Sequence, residues 1–393
     1  MNVRILVSSF FVFAFFTLNA QTTSSNIPIG YWRDHFPYRQ GIMVAEGNGK
    51  VYCATASSLF SYDTNDNSIE RLSKVTGLSD VGVSAIAFNT YNSSLLVAYK
   101  NANIDLVIQN SAVVNASDIK RANILGNKTI NDIFFRNAFA YLACGFGIVV
   151  YDTDRREVKD TYYIGTLGGQ INVRDITSDG NDLFAATDSG IYRASLSNPN
   201  LSNYTAWSKM TGLPSGVFNT AAFFSGKVFV NFSKRITSGI TSQDTIFSWD
   251  GTAWNKPMTP VSGSTVMALE MDNNKLVMAA SDYVDTYNSS LAVVEHVAGF
   301  QCQLLINYSV QHAILTDDNV MWIADFSNGL IRVQGVWNCS QLLPAGPSTD
   351  AVTGINIKEG SVWIAPGDRS DLWLNGWNSD GIFYMKDNEW TTL

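Results

Sequence analysis

VYCAT, at residues 51–55, is the first of eight short apolar stretches that share one pattern along the chain. The other seven are LLVAY (95–99), YLACG (141–145), LFAAT (183–187), VFVNF (228–232), LVMAA (276–280), MWIAD (321–325) and VWIAP (362–366). Their second residues follow one another at intervals of 41 to 48 residues. A repeat of this length is typical of the four-stranded blades of a β-propeller.

Two columns within this stretch indicate how the blades pack. The second residue is large and apolar in every copy: Tyr52, Leu96, Leu142, Phe184, Phe229, Val277, Trp322 and Trp363. The fourth is small in all copies except one Asn: Ala54, Ala98, Cys144, Ala186, Asn231, Ala279, Ala324 and Ala365. Both positions lie on one face because strand side chains alternate. A large residue followed by a small one fits a blade that narrows toward a crowded axis.

Other strands flank each copy. Innermost strands are predicted at VSAIAF (83–88), INDIFF (130–135), VRDIT (173–177), VMALEM (266–271) and VTGINI (352–357), and third strands at GIVVYD (147–152), GIYRA (190–194) and GLIRVQG (329–335). Three outer hairpins share a polar turn followed by Trp254, Trp337 or Trp390, whose indole is expected to cover the outer edge of the blade. No stretch after residue 20 has a convincing amphipathic helical period.

The repeats define the predicted architecture of this all-β chain. Residues 41–350 contain seven units, which predicts a seven-bladed β-propeller, with a ring of eight blades as the structural alternative. Residues 351–393 form an eighth unit, which we interpret as the first blade of an incomplete second propeller. A leader at residues 21–40 is expected to supply a strand or a plug that closes the ring, since an open ring would leave sheet edges exposed.

The first 20 residues have the pattern of a signal peptide. Arg4 precedes an apolar run at residues 5–18, and LNA (18–20) offers a cleavage point before Gln21. The run is too short for a membrane span, and no later segment is long enough to be one. We therefore expect an exported chain without a membrane-spanning segment.

Charge and motifs argue against several function classes. A net charge of −8 does not suit a nucleic-acid partner, whose backbone requires concentrated positive charge. The three histidines, His35, His296 and His312, share no metal-ligand spacing and are expected to be ordinary surface or core residues. Phosphate-binding, dinucleotide-binding and nucleophile motifs are absent, so we expect neither an enzyme nor a cofactor. Glycosidase-type carboxylate pairs stay open, because they depend on spacing in three dimensions.

The four cysteines divide into two pairs. Cys53 and Cys144 face opposite ways with a whole blade between them, which is too far for a bond. Cys302 and Cys339 both fall in the seventh unit, where a disulfide suits an oxidising compartment, and two free thiols are the alternative.

Several strings resemble the PorZ family of type IX secretion components, in its N-terminal propeller region. They are WRDHFPY (32–38), SYDTNDNSIERLSKVTGLSD (61–80), YKNANIDLVI (99–108), INDI (130–133) and, most specifically, YLACGFGIVVYDTDRREVKDTYYIG (141–165). TGLSD (76–80) and TGLPSG (211–216) also look like the blade joints of two-component-regulator propellers, a broader and less specific likeness.

The resemblance implies a function outside enzymology. PorZ-like proteins work at the outer-membrane surface of Gram-negative bacteria, in an attachment complex with the PorU sortase, PorV and PorQ, where anionic lipopolysaccharide is joined to secreted cargo. Family members carry two seven-bladed propellers, whereas this sequence reaches Leu393 one blade into the second. An acidic chain is a poor match for an anionic glycan, so either a local basic face binds it or the other half of a longer protein does.

Two other functions remain open from the sequence. One is a periplasmic carbohydrate-sensing propeller of a hybrid two-component regulator, and the other is a propeller lyase or glycoside hydrolase. The sequence alone does not identify binding residues for any of the three, because propeller loops vary without a residue code.

Overall fold

The computed structural model describes residues 32–108, 112–234, 244–299, 302, 308–335, 337–367, 369, 373–375, 381–387 and 389–393. The predicted signal peptide and residues 21–31 of the leader lie outside the described residues. The described strands form eight antiparallel four-stranded sheets, accompanied by one short α-helix, α1 (Asp118–Arg121). Within these ranges we find no helix with the length and apolar character needed to cross a bilayer. The predicted all-β fold of four-stranded blades is confirmed.

Each blade consists of four consecutive strands, paired in chain order. Blade 1 contains β1 (Gly41–Gly47), β2 (Lys50–Thr55), β3 (Leu59–Asp63) and β4 (Ile69–Leu72). Blade 2 contains β5 (Val83–Asn89), β6 (Ser94–Tyr99), β7 (Ile104–Ile108) and β8 (Ala112–Ala116). Blade 3 contains β9 (Ile130–Arg136), β10 (Phe139–Cys144), β11 (Gly147–Asp152) and β12 (Glu157–Tyr162). Blade 4 contains β13 (Val173–Ser178), β14 (Asp182–Thr187), β15 (Gly190–Ser195) and β16 (Ser208–Lys209).

The remaining four blades have the same order of strands. Blade 5 contains β17 (Phe218–Phe224), β18 (Lys227–Phe232), β19 (Thr245–Trp249) and β20 (Trp254–Asn255). Blade 6 contains β21 (Val266–Asp272), β22 (Lys275–Ala280), β23 (Tyr283–Tyr287) and β24 (Val293–Ala298). Blade 7 contains β25 (Val310–Leu315), β26 (Met321–Asp325), β27 (Gly329–Val333) and β28 (Cys339–Leu342). Blade 8 contains β29 (Val352–Lys358), β30 (Ser361–Pro366), β31 (Phe383–Lys386) and β32 (Glu389–Thr392).

The innermost strands form a closed ring of seven. Each of β1, β5, β9, β13, β17, β21 and β25 packs against the next, and β25 packs against β1. In the described chain β29 makes no contact of similar extent with another blade, and its Ile355 and Ile357 are 67% and 73% exposed. Seven blades therefore close the ring, and blade 8 lies outside it.

The repeated stretch is the second strand of every blade, as predicted. Its small column is buried throughout the ring, whereas Ala365 in blade 8 is exposed. The one exception in that column, Asn231, is buried and donates hydrogen bonds to Asn219 Oδ1 (2.8 Å) and Asp244 Oδ2 (3.0 Å). Neighbouring blades thus account for the burial of these small residues, because alanine is buried at this position in the ring and exposed in blade 8, which lacks a neighbour.

The described part of the leader, residues 32–40, packs between blades 1 and 7 and contains no strand. Phe36 and Tyr38 join the core cluster between blades 1 and 7, beside Phe60 of blade 1 and Trp322 of blade 7. The Tyr38 ring meets Phe60 edge-on at 5.7 Å, and its hydroxyl donates to Asp34 Oδ1 at 3.1 Å. Both blades are therefore held by the same aromatic side chains.

The outer tryptophans behave differently from one another. Trp254 and Trp390 are half-buried on the outermost strands β20 and β32. Trp337 instead lies in the turn between β27 and β28 with φ of 71° and is 57% exposed. The expectation that its indole covers the blade edge is wrong for Trp337, because the turn continues past it and the strand resumes at Cys339.

We predict that Tyr38→Ala lowers the free energy of unfolding by about 3 kcal/mol, because it empties an aromatic site shared by the first and last blades. Urea denaturation followed by circular dichroism measures this. Tyr91, 62% exposed, provides the matched control, and Tyr91→Ala should change the value by less than about 0.5 kcal/mol. Equal effects of the two substitutions would contradict the role given to the leader.

Candidate functional site

The candidate site is the axial channel, lined by the innermost strands. The innermost strand of each sheet has a paired partner on one side, so its other edge directs backbone N–H and C=O groups toward the axis. Buried backbone groups require hydrogen-bond partners. Side chains from the preceding blade supply them at two positions of the strand.

Asparagine amides occupy the second position in two blades. Asn131 Nδ2 of β9 donates to the carbonyl oxygen of Val173 in blade 4, at 2.6 Å. Asn219 Nδ2 of β17 donates to the carbonyl oxygen of Val266 in blade 6, at 2.8 Å. Each amide thus satisfies the first carbonyl of the next innermost strand.

Acceptor atoms occupy the third position, next to a β-bulge that the innermost strands share. Asp175 Oδ2 accepts from the Ala221 N–H at 2.7 Å. Thr220 Oγ1 accepts from the Leu269 N–H at 2.9 Å. The Met43 sulfur plays the same part toward Ile86 N, at 3.2 Å. In all three cases the donor lies on the next blade, so these side chains connect blades around the axis.

The carboxyl groups of Asp132 and Asp175 form the most unusual pair in the channel, since they hydrogen-bond to each other. Burial, with a smaller contribution from the charge of Glu270, raises the pKa of Asp132 to about 6. Burial and the charge of Asp132 raise the pKa of Asp175 well above its ordinary value. Two like charges close together in an enclosed site are unfavourable, so these carboxyl groups hold their protons to a higher pH than ordinary carboxyl groups do.

A second titratable pair lies across blades 6 and 7. His312 Nε2 is 3.0 Å from Glu270 Oε1. Burial lowers the pKa of His312, but its hydrogen bond with Glu270 and the charge of Glu270 outweigh this and raise the pKa above its ordinary value. The His312 Nδ1 atom is buried without a hydrogen-bond partner. On the same strand as Glu270, burial raises the pKa of Asp272 to about 7.

The channel contains a small cavity. A cavity of about 240 Å³ lies beside Asp132, Asp175 and Glu270. The two aspartates lie at the third positions of the neighbouring innermost strands β9 and β13. In the ranges that the structure describes, no three His, Cys, Asp or Glu side chains are arranged to hold a metal ion. Asp175 also accepts a hydrogen bond from the next blade, through the Ala221 N–H.

The other two histidines lie away from the axial channel. His296 Nδ1 lies 2.6 Å from Asp285 Oδ1 within blade 6. His35 of the leader lies 3.2 Å from Trp390 Nε1 of blade 8 and stacks edge-on against its ring. The three histidines therefore occupy three separate places, and none forms a shared ligand set with another.

Sequence reasoning missed Asp132, Asp175, Glu270 and His312 as a group. Asp132, Asp175 and His312 all occupy the third position of an innermost strand, as Thr220 does. Aligning the innermost strands as carefully as the second strands would have shown this polar column. Glu270 lies two positions further along its strand and gives no such signal.

The predicted Cys302–Cys339 disulfide has a suitable Cα separation. The two Cα atoms are 5.3 Å apart and the sulfur atoms are joined in the structure, within the span that a disulfide requires. Cys53 and Cys144 are buried and unbonded. The bond would tie the segment before β25 to the outermost strand of blade 7.

The fold and the channel together define a β-propeller whose described axial side chains link neighbouring blades. The family model described as the N-terminal β-propeller domain of PorZ, of the type IX secretion system, matches residues 51–208. This range includes the strings at 61–80 and 141–165, and the predicted resemblance to PorZ is confirmed.

A solved structure agrees with this family match. It is PorZ, described as an essential bacterial surface component of the type IX secretion system of Porphyromonas gingivalis, a human oral bacterium. The TM-score is 0.73 at 20% sequence identity, over 93% of this chain and 46% of that one. This chain therefore spans about half the length of PorZ, and at this identity the likeness shows the fold. No curated protein sequence matches.

The pH dependence of stability follows from the directions of the pKa shifts. A carboxyl with a raised pKa holds its proton more tightly in the folded chain, so stability falls as pH rises from the ordinary value of about 4 toward the raised value. His312 acts in the same direction, because its interaction with Glu270 is lost as the pH rises through its raised pKa. We expect unfolding free energy to decrease between about pH 4 and about pH 7.

Asp132→Asn should flatten this decrease, because an amide keeps the hydrogen-bonding shape without the ionisation. The expected gain over the unsubstituted chain near neutral pH is on the order of 2 kcal/mol. Urea midpoints measured across the pH range test it, with Asp118→Asn on the exposed helix α1 as the control. A pH profile unchanged by Asp132→Asn would show that Asp132 does not hold its proton to a higher pH than ordinary carboxyl groups do.

Peptide mapping without reductant should recover a Cys302–Cys339 linked pair, with Cys53 and Cys144 alkylated only after unfolding. Replacing both Cys302 and Cys339 with Ala should cost about 3–4 kcal/mol, the loop-entropy value for a separation of 37 residues. Recovery of free Cys302 and Cys339 from the exported protein would contradict the disulfide.

Proposed function

We propose that this chain is a non-enzymatic component of the type IX secretion attachment complex at the outer-membrane surface of a Gram-negative bacterium. There it would support sortase-linked anchoring of cargo to anionic lipopolysaccharide. The family match over residues 51–208 is the observation that carries the proposal, and the PorZ fold along 93% of the chain supports it. By resemblance, its protein partners would be the PorU sortase, PorV and PorQ.

The absence of an enzymatic role is part of the proposal. The described polar groups of the axis are largely engaged in bonds between blades, such as Asn219 to Val266 and Asp175 to Ala221. A ring whose axis is used for its own assembly leaves its faces and outer edge for partners. This arrangement suits a protein that works through contacts within a complex.

We also propose that residues 41–350 form one propeller domain and residues 351–393 the first blade of a second. The inner strand of blade 8 exposes residues that are buried in the ring, as Ile355 and Ala365 show. A single four-stranded sheet with one exposed edge and face is marginally stable alone and gains from a neighbouring blade.

Deleting the gene should leave type IX cargo in the periplasm, because the attachment step would lack a component. Immunoblots of periplasmic and surface fractions measure this, and a plasmid copy should restore surface cargo. Normal surface display in the deletion strain would contradict the proposal.

A chain shortened to end at residue 350 should be exported and should unfold at the same midpoint as the chain that ends at residue 393. Loss of folding in the shortened chain would contradict the domain division.

A further inference from the structure

The linker between the ring and blade 8, from β28 to β29, is held by the leader and by blade 1. Arg71 Nη2 of β4 donates to the carbonyl oxygen of Ala345, and the Arg71 guanidinium lies 5.8 Å from the centre of the Tyr38 ring. Gly346 packs so closely against the leader that an added Cβ would come within 2.6 Å of the Phe36 carbonyl oxygen. The residues that fill the junction between blades 1 and 7 therefore also fix the path by which the chain leaves the ring.

The leader also contacts blade 8 directly. Trp390 Nε1 of β32 lies 3.2 Å from His35 Nδ1, and the two rings meet edge-on with their centroids 5.4 Å apart. Both side chains are half-buried. A little further along the leader, Tyr38 packs between blades 1 and 7. One short segment therefore contacts both the ring and blade 8.

The hydrogen bond to Trp390 determines the protonation state of His35. The indole N–H of tryptophan can only donate, so His35 Nδ1 must accept. A neutral imidazole can do this when its proton is on Nε2. The imidazolium ion carries an N–H at both nitrogens, so it offers no acceptor and directs its own Nδ1–H at the indole N–H. The contact with blade 8 therefore requires His35 to be neutral.

The surroundings of His35 also disfavour its protonation. Burial lowers the pKa of His35, and the charges of Arg33 on the leader and Arg71 on β4 lower it further, against a smaller opposing effect of Asp34. The group that blade 8 places against the imidazole is the indole of Trp390, which does not titrate. A proton on His35 would thus lie near two guanidinium groups and would also remove the hydrogen bond.

We propose that the contact between His35 and Trp390 is a pH-sensitive switch, which holds blade 8 against the ring while His35 is neutral and releases it when His35 is protonated. A histidine in water ionises near pH 6.5. Because the released state binds the proton more tightly than the docked state, docking weakens as the pH falls below about 6.5. The axial carboxyl groups act in the opposite direction, since they stabilise the ring as the pH falls, so release of blade 8 does not require the ring to unfold.

Hydrogen exchange followed by mass spectrometry, on the purified exported chain, tests the proposal. Protection of peptides from β32 and from the linker is measured between about pH 5 and about pH 8 and corrected for the intrinsic pH dependence of amide exchange. From about pH 7 to about pH 5 the corrected protection should fall about fivefold or more, because docking weakens and a released four-stranded sheet is only marginally stable. Peptides from β2 and β6 of the ring should keep their protection, which shows that the ring remains folded.

His35→Gln is the most informative variant, because its amide oxygen can accept the indole N–H but does not titrate. Protection of β32 should then be the same at both ends of the pH range. Trp390→Phe keeps an aromatic ring but removes the donor, so protection at about pH 7 should fall toward the value that the unsubstituted chain has at about pH 5. His296→Gln is the matched control, since His296 pairs with Asp285 within blade 6, and it should leave the pH response of β32 unchanged.

Protection of β32 that does not change with pH, or a decrease that persists in His35→Gln, would overturn the proposal. Full protection of β32 in Trp390→Phe at about pH 7 would also contradict it. The two substitutions lie on opposite sides of the contact, so Trp390→Phe tests the switch even if His35→Gln fails to fold. Failure of the switch leaves the secretion phenotype intact, whereas normal secretion in the deletion strain leaves the contact of His35 with blade 8 intact.

Discussion

The unpaired edge of each innermost strand is the constraint on which this ring depends. Every sheet brings one row of backbone N–H and C=O groups to the axis, where water has little room. The chain satisfies several of these groups with side chains from the preceding blade, such as Asn131, Asp175 and Thr220. Apolar packing between blades provides most of the burial, but it has no direction. The axial hydrogen bonds add a register, since each joins a defined atom of one blade to a defined atom of the next.

Closure of the ring uses a different device. Among the described residues each sheet consists of consecutive strands, and none of these strands is shared between the first blade and the last. The leader residues Phe36 and Tyr38 fill the junction instead, and Arg332 of blade 7 donates to the Tyr62 hydroxyl of blade 1 at 3.1 Å. Blade 8 shows what happens without a neighbour: its sheet is formed, but its inner strand exposes Ile355 and Ile357. The sequence of one blade is thus sufficient to form its sheet, whereas burial of its apolar side chains requires a neighbouring blade.

The sequence predicts the parts of this structure that repeat. The period and the large-then-small columns give the blade count, the second strand of each blade and most inner strands, because they reflect packing imposed on every unit. The axial site is harder to predict because it combines single residues from different blades. Asp132 and Asp175 are 43 residues apart and look like ordinary strand or turn aspartates until the bulges align them. The contact of His35 with Trp390 likewise depends on how the leader and blade 8 meet. Trp337 shows that a repeated motif can also mislead. Its hairpin has the same motif as those of Trp254 and Trp390, but Trp337 lies in a turn and not on an outermost strand.

The two buried thiols have a consequence for how the chain matures. Four cysteines can be paired in three ways, and disulfides form and persist in oxidising compartments. Cys53 and Cys144 lie on the second strands of blades 1 and 3, and burial raises the pKa of both thiols. Once those blades have formed, neither sulfur can act as the thiolate that exchange requires. Burial of Cys53 and Cys144 therefore disfavours the two pairings that would join either of them to Cys302 or Cys339.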